Sequence, residues 1–330
     1  MSKPDVLICG TIVHAHKELD TILGSISNVL QLDSPDRETF LKELGPGGKY
    51  SKIKAIYRHN DSASKIGLFD GQLISSLPET LSFICHNGAG YDQIDVEAAK
   101  QRGIKVSHTP SAVDDATADT AMFLVLSTLR QYYRAEVNAR QGKWKSGLSP
   151  AHDPEGKVLG IVGMGGIGGA LAKRAKAFDM KILYHNRNPS PKADESFTYV
   201  GTLEELLERS DVVSLNLPLN SSTQGSFGEA QFERMKTGSI LINTARGGVV
   251  DQEALVRALE GGKLSSAGLD VYPDEPNIDA RLIAMDQCVL LPHMGTETIE
   301  TQKKMEVQVF GSIKVALETG TPSYLVKEHK

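Results

Sequence analysis

Val158-Leu159-Gly160-Ile161-Val162 runs directly into Gly163-Met164-Gly165-Gly166-Ile167-Gly168, and the helical run Ala170-Leu171-Ala172-Lys173-Arg174-Ala175 follows. A short apolar run ending in G-x-G-x-x-G and opening a helix is the strand-turn-helix of a dinucleotide-binding unit. Gly163 permits the tight turn, Gly165 lets a pyrophosphate approach the backbone, and Gly168 lets helix pack on strand. The first helical turn, with Gly166 and Ile167, offers N–H groups and a partial positive charge to phosphate. The ordinary alternative is a glycine-rich turn with no ligand, which the strand-turn-helix setting disfavours.

Outward from this stretch, short apolar runs recur at Val6-Cys9, Ala55-Tyr57, Phe83-Cys85, Lys181-Tyr184, Val212-Leu217, Ser239-Asn243 and Val289-Leu291, with helical patterns between them. Such alternation predicts an α/β chain with parallel sheets. Thr117 to Gln141 carries Ala121, Val125, Leu129, Tyr132 and Tyr133 at helical spacing and stops at Gly142, which predicts one long helix connecting two domains. Boundaries fall near Thr109-Pro110-Ser111 and near Gly295.

At 330 residues, with 40% hydrophobic and 23% charged residues, the chain is long enough for two cores. A net charge of -5 argues against a general nucleic-acid surface, so any anion site must be local. Cys9, Cys85 and Cys288 form no CxxC pair and no metal-ligand spacing, which predicts no metal, no disulfide framework and a reducing compartment. Met1 to Gly10 lacks a signal-peptide pattern, and no apolar run reaches the roughly 18 residues of a membrane helix. The expectation is a soluble, cytoplasmic protein.

Roughly 20 residues beyond Gly168, where NAD-preferring units present a carboxylate to the ribose, the chain reads Tyr184-His185-Asn186-Arg187-Asn188. Asn186 can donate to a 2′-phosphate and Arg187 can pair with it, so NADP(H) is expected in preference to NAD(H). Three later segments each follow a strand-like run and contain Arg246, Glu275 and His293. These residue types suit hydride transfer to a 2-oxo acid: a rigid fork for the carboxylate, a group titrating near neutrality for the carbonyl oxygen, and a carboxylate that fixes the imidazole and favours the imidazolium. Taken singly, each has a bland reading as a surface charge, a turn residue or a loop histidine. Together, downstream of a dinucleotide turn, they point to a site.

Gly88-Ala89-Gly90-Tyr91-Asp92-Gln93-Ile94-Asp95, the glycine turn, Asn216-Leu217-Pro218-Leu219 with Thr223, Asn243-Thr244-Ala245-Arg246-Gly247, Gly268-Leu269-Asp270-Val271 and Pro292-His293 together resemble the D-isomer-specific 2-hydroxyacid dehydrogenase family, its glyoxylate/hydroxypyruvate reductase branch above all. The resemblance implies two Rossmann-like, doubly wound parallel-sheet domains with a cleft between them. A discontinuous substrate domain would take 1–109 plus 297–330, with a last helix from about Thr298 to Glu318, and the dinucleotide domain 110–296. Arg246, Glu275 and His293 would be catalytic. Asp270 and the backbone of Thr244 and Ala245 would position the nicotinamide, with Thr117, Leu217, Pro218, Thr223, Gly295, Arg246 and His293 also at the cofactor. N–H groups of Ala89 and Gly90 would help Arg246 and His293 hold the substrate, and a homodimer would form largely through the cofactor domain.

The chain departs from the family pattern at Tyr57-Arg58-His59-Asn60-Asp61, where relatives have an apolar segment facing the substrate. Arg58 or Tyr57 is therefore expected to reach the substrate and admit an extra polar group, against the plainer reading of a solvent-facing arginine. Asp119 and Gln93 are mild departures. Trp144, the single tryptophan, reads either as a residue projecting across a dimer or as a local anchor. The short stretch after His293 disfavours a phosphoglycerate dehydrogenase with its added regulatory domain. A formate dehydrogenase is also disfavoured. The expected activity is NADPH-dependent reduction of glyoxylate or hydroxypyruvate to the D-2-hydroxy acid, with His293 as proton donor. The alternatives are a corepressor-like NAD(H)-sensing binding protein, or a dehydrogenase of a bulkier acid such as mandelate.

Overall fold

Strands β1 (Asp5–Cys9), β2 (Asn28–Gln31), β3 (Ile53–His59), β4 (Phe83–Asn87) and β5 (Lys105–Ser107) form one sheet among residues 3–330, which the computed structural model describes. Its order is β2-β1-β3-β4-β5 and every pairing is parallel. A second parallel sheet holds β6 (Val158–Val162), β7 (Lys181–His185), β8 (Thr198–Tyr199), β9 (Val212–Leu215), β10 (Ser239–Asn243), β11 (Leu264–Leu269) and β12 (Cys288–Leu290), in the order β12-β11-β10-β9-β6-β7-β8. The first order is flavodoxin-like and the second is the doubly wound dinucleotide order with one further strand. All residues of β4, β9 and β10 are buried, so their apolar residues stand on both faces rather than alternating with exposed polar ones.

Contacts divide the chain into two units, one running up to Val113 and completed by Glu297–Lys330, the other Asp114–Thr296. The first division falls four residues beyond the sequence expectation of 109/110 and the second at the expected 296/297. In the second unit the register aligns Val162 with His185 and Leu215, and Asn243 with Leu215 and Leu269. The loops that begin at Gly163, Asn186, Asn216, Thr244 and Asp270 therefore leave one edge of the sheet. Gly163 and Asn216 follow β6 and β9, the neighbours between which strand order reverses.

The single long helix expected over Thr117–Gln141 is instead two, Asp114–Arg130 and Tyr132–Arg140. Gln131 between them has φ of 53°, a left-handed conformation that an α-helix of L-residues cannot carry through. The last helix runs Ile299–Thr319, capped by the Thr298 hydroxyl, which accepts the Thr301 N–H, and ended by Gly320 at φ 79°.

That helix packs Val309, Phe310, Ile313 and Ala316 against Val6, Ile8, Tyr57 and Cys85. Its Glu306 is 1% exposed and accepts the N–H groups of Val13, His14 and Ala15 at 2.7, 3.0 and 2.7 Å. Three amides satisfy one buried carboxylate. Glu306→Ala should lower stability to chemical denaturation by about 3 kcal/mol, because the amides lose their acceptor. An unchanged midpoint would show that the loop carries these bonds elsewhere.

Candidate active site

The turn after β6 is shaped by two close approaches. Gly163 has φ of 102°, and a Cβ there would lie 2.6 Å from the Asn216 carbonyl oxygen. A Cβ on Gly168 would lie 2.2 Å from the Gly163 carbonyl oxygen, so the helix Gly166–Lys176 rests directly on the turn. Gly165, in contrast, faces open space, and no side chain caps this helix. Its first-turn N–H groups, on Gly166, Ile167 and Gly168, are left for a ligand, which is the arrangement that holds a phosphate.

After β7, the Asn186 carboxamide oxygen accepts the Met164 N–H at 2.7 Å, which ties the second strand end to the glycine turn and leaves the NH2 group to donate outward. Arg187 is exposed, and among the described residues no ion pair holds it. After β9, the Thr223 hydroxyl donates to the Pro218 carbonyl at 2.6 Å and accepts the Asn220 N–H at 2.9 Å, closing the loop that carries Leu217 and Pro218.

After β10, Asn243 does the positioning. Its side chain accepts the Ala245 N–H at 3.0 Å and donates to the Arg246 carbonyl at 3.1 Å, fixing the Thr244–Arg246 turn from within. The Thr244 hydroxyl is buried with no hydrogen-bond partner, and the half-buried Arg246 donates from Nη1 to the Ala245 carbonyl at 2.8 Å.

Asp270, 1% exposed, follows β11 and accepts the N–H groups of Met294 and Gly295 at 2.6 and 2.9 Å. Burial pushes its carboxyl above the usual range, against the pull of those donors and of His293. The Thr117 hydroxyl donates to the Gly295 carbonyl at 3.3 Å. Between these clamps His293 sits at φ 56°, an uncommon backbone state for a side chain other than glycine.

His293 Nδ1 lies 2.8 Å from Glu275 Oε2, and Glu275 Oε1 accepts the Tyr272 N–H at 2.9 Å. Burial raises the Glu275 pKa, but the hydrogen bonds from His293 and Tyr272 and the charges of His293 and Arg246 outweigh it and hold the carboxyl below its ordinary range. Tyr272 donates its hydroxyl to the Leu291 carbonyl at 3.0 Å, joining the Glu275 loop to the strand end before His293. With Nδ1 engaged, Nε2 is the nitrogen left for a ligand.

In the other unit, Ala89 and Gly90 lie in the turn after β4. The Gly88 N–H donates to the Thr109 hydroxyl at 2.7 Å, and the Ala89 carbonyl lies 2.8 Å from His108 Nδ1. The N–H groups of Ala89 and Gly90 carry no acceptor among the described residues.

Arg58, expected to meet substrate or solvent, is instead 0% exposed, with its fork on the side-chain oxygens of Asn60 and Gln93. Tyr57 is equally buried and its hydroxyl accepts from Asn87 at 2.7 Å. The reason is register: residues 57 and 58 lie inside β3, between β1 and β4, not in the loop beyond it. Trp144 is 76% exposed, so it anchors no core.

Asn243, Tyr272, Thr109 and His108 escaped sequence reasoning. A signal existed for Asn243 alone, an Asn two residues before the amide it caps. No helix is long and apolar enough to cross a membrane, and no His, Cys, Asp or Glu cluster could hold a metal, among the described residues.

A glycine turn at the switch point of a doubly wound sheet, with a histidine–carboxylate pair and an arginine at the same edge, defines an NAD(P)-dependent oxidoreductase. The chain belongs to the D-isomer-specific 2-hydroxyacid dehydrogenase family: the family profile described as its NAD binding domain matches residues 122–295. The chain is 48% identical to 4-methyl-2-oxopentanoate reductase A of Aspergillus oryzae over 328 residues, 99% of each protein. The crystal structure of a glyoxylate reductase from Paecilomyes thermophila superposes with a TM-score of 0.96 at 47% identity, covering 100% of both chains. An NADPH-dependent glyoxylate/hydroxypyruvate reductase from Sinorhizobium meliloti, solved with NADP and malonate, gives 0.86 at 31% identity over 99% of this chain and 98% of that one.

Proposed function

We propose that this enzyme reduces a small 2-oxo acid, glyoxylate or hydroxypyruvate, to the D-2-hydroxy acid with NADPH, and that His293 supplies the proton. The observation that carries the reading is the 2.8 Å His293–Glu275 pair at the sheet edge that also bears the uncapped glycine turn and Arg246. The open space at Gly165 and the orphaned Thr244 hydroxyl fit a bound dinucleotide. Gly163–Gly168 would hold its pyrophosphate, and Thr244, Ala245 and the Asp270-clamped loop its nicotinamide end. When bound, the dinucleotide supplies the hydride.

The remaining work falls to the chain. Arg246 offers its fork to the carboxylate and polarises the keto group. In the other unit, the N–H groups of Ala89 and Gly90, which carry no acceptor among the described residues, are donors for a substrate carboxylate. His293 gives the Nε2 proton to the carbonyl oxygen, and Glu275 holds the ring and balances its charge. Asp270 keeps the His293 backbone in its left-handed state through Met294 and Gly295.

For the cofactor, the donating end of Asn186 and the exposed Arg187 suit a 2′-phosphate, and no carboxylate stands at the end of β7 to repel it. Initial rates with glyoxylate, hydroxypyruvate, pyruvate and phenylglyoxylate, each with NADPH and NADH, test both claims. NADPH should give the higher kcat/KM throughout. A tenfold preference for NADH would sink the cofactor reading, and no turnover of any acid would sink the substrate class.

A second substrate reading, a bulkier branched or aromatic 2-oxo acid, draws on the name of the Aspergillus oryzae relative. The same panel decides it through phenylglyoxylate. The exposed Phe123, Tyr132, Tyr133 and Trp144 in and after the two helices of Asp114–Arg140 suit a homodimer through the cofactor unit. Light scattering should return twice the chain mass of 35.7 kDa, and a single chain mass refutes it.

A further inference from the structure

Behind the Gly88–Gly90 turn lies a side-chain cluster that the chemistry above does not use. Arg58 on β3 and His86 on β4 are direct cross-strand partners, and both are 0% exposed. His86 Nε2 is 2.9 Å from the Gly90 carbonyl oxygen, while Nδ1 is 3.3 Å from Arg58 Nη1 and 3.1 Å from the Arg58 carbonyl. Each ring nitrogen faces a carbonyl, which only accepts, but the Arg58 guanidinium at Nδ1 only donates, so the single proton of a neutral ring belongs on Nε2.

A second proton on Nδ1 would make a buried imidazolium beside a guanidinium. Burial first, and the Arg58 charge second, hold His86 well below the ordinary histidine range, so the ring is neutral. Its Nδ1 lone pair then faces the guanidinium. Burial also lowers Arg58, to about 10, which leaves it charged at neutral pH. Its other hydrogen-bond partners, the Asn60 and Gln93 side chains, are uncharged, and its Cζ lies 5.7 Å from the centre of the Phe69 ring.

The turn is therefore held from behind at several points. The Gly88 carbonyl accepts the Thr109 N–H at 3.0 Å, the Ala89 carbonyl faces His108, and the Gly90 carbonyl takes the His86 proton. A Cβ on Gly88 would lie 2.5 Å from His86 Nε2, so the imidazole touches both ends of the turn. With three carbonyls engaged, two successive N–H groups, on Ala89 and Gly90, are left to donate. Successive unpaired amides of this kind form an anion-binding concavity.

We propose that Arg58 and His86 are positioning residues for carboxylate recognition. Arg58 fixes the Nε2–H tautomer of His86, His86 pins the Gly90 carbonyl inward, and the Ala89 and Gly90 N–H groups are thereby turned toward the anion. This rests on the reading above that those two amides hold the substrate carboxylate. Neither side chain touches substrate.

The test separates this positioning from general loosening by a split of constants. Arg58→Met and His86→Phe should each raise the KM for glyoxylate by ~10- to 100-fold, as loss of hydrogen bonds to a charged group does. The fall in kcat should be smaller, and the dissociation constant of NADPH, read by its fluorescence, should stay within about twofold. An unchanged glyoxylate KM overturns the proposal, and so does a parallel rise in KM and NADPH dissociation constant.

Should either variant fail to fold, ¹⁵N imidazole spectra of the unmodified protein decide. His86 should remain the neutral Nε2–H tautomer between about pH 5 and 8, the range in which an ordinary histidine changes charge. An Nδ1–H tautomer or a titrating ring overturns the brace. If the parent protein reduces no 2-oxo acid, the functional reading fails, while the spectra still report on the brace.

Discussion

His293→Ala is expected to lower kcat for 2-oxo acid reduction by ~10²- to 10⁴-fold, the range that general acid–base help contributes. The change in KM should be smaller, since the proton passes only as the carbonyl oxygen gains charge. The prediction draws on geometry at both ring nitrogens. Nδ1 is engaged by Glu275 at 2.8 Å, and Glu275 is itself fixed by the Tyr272 N–H. Added imidazole should restore part of the lost rate, because the alanine leaves room for a free base at that place. Steady-state kinetics with and without imidazole check it, and a loss under tenfold would remove His293 from the chemistry.

Arg246→Ala should reduce kcat/KM on the order of 10²- to 10³-fold, with much of the loss in KM. Removing one partner of a desolvated charge pair costs about 2–5 kcal/mol. Lysine should restore only a part, because an ammonium has no planar fork to match a carboxylate. The clean comparison is with His293→Ala: equal, small effects from both would contradict the assignment. The Asn243 clamp predicts that the backbone of the turn survives the substitution, since it holds the Ala245 N–H and the Arg246 carbonyl rather than the guanidinium.

The sheet's middle was legible because its strands are buried on both faces and so appear as unbroken apolar runs at Val158–Val162, Val212–Leu215 and Ser239–Asn243. Leu264–Leu269 was not, although it is a central strand. Its sequence, LSSAGL, is small because the Asp114–Arg130 helix presses on it: a Cβ on Gly268 would lie 2.9 Å from both Leu124 and Ile242. Close packing there removed the pattern that announces a strand. Asn28–Gln31 escaped for the opposite reason, as an edge strand whose ends are exposed and polar.

The site divides in the same way. Arg246, Glu275 and His293 follow strand ends and carry recognisable chemistry, and these features together with the family resemblance made them candidates. Asp270 was named for the cofactor, and the sequence held no sign that its carboxylate also clamps the two amides after His293. Arg58 was placed at the substrate because its position in the chain is unusual. Only the register of β3 and β4 shows it facing His86, 28 residues away in sequence.

The Glu306 clamp bears on how the protein is made. Val6, Ile8 and Tyr57 are made well before Val309, Phe310, Ile313 and Ala316, which cover them, and the Val13–Ala15 amides wait for a carboxylate about 290 residues downstream. The stretch Asp114–Thr296 emerges without interruption and can close on itself first. During synthesis, the first unit's apolar sheet face therefore stays uncovered until the whole of Asp114–Thr296 has been made, and an exposed apolar face of that kind is what chaperones shield.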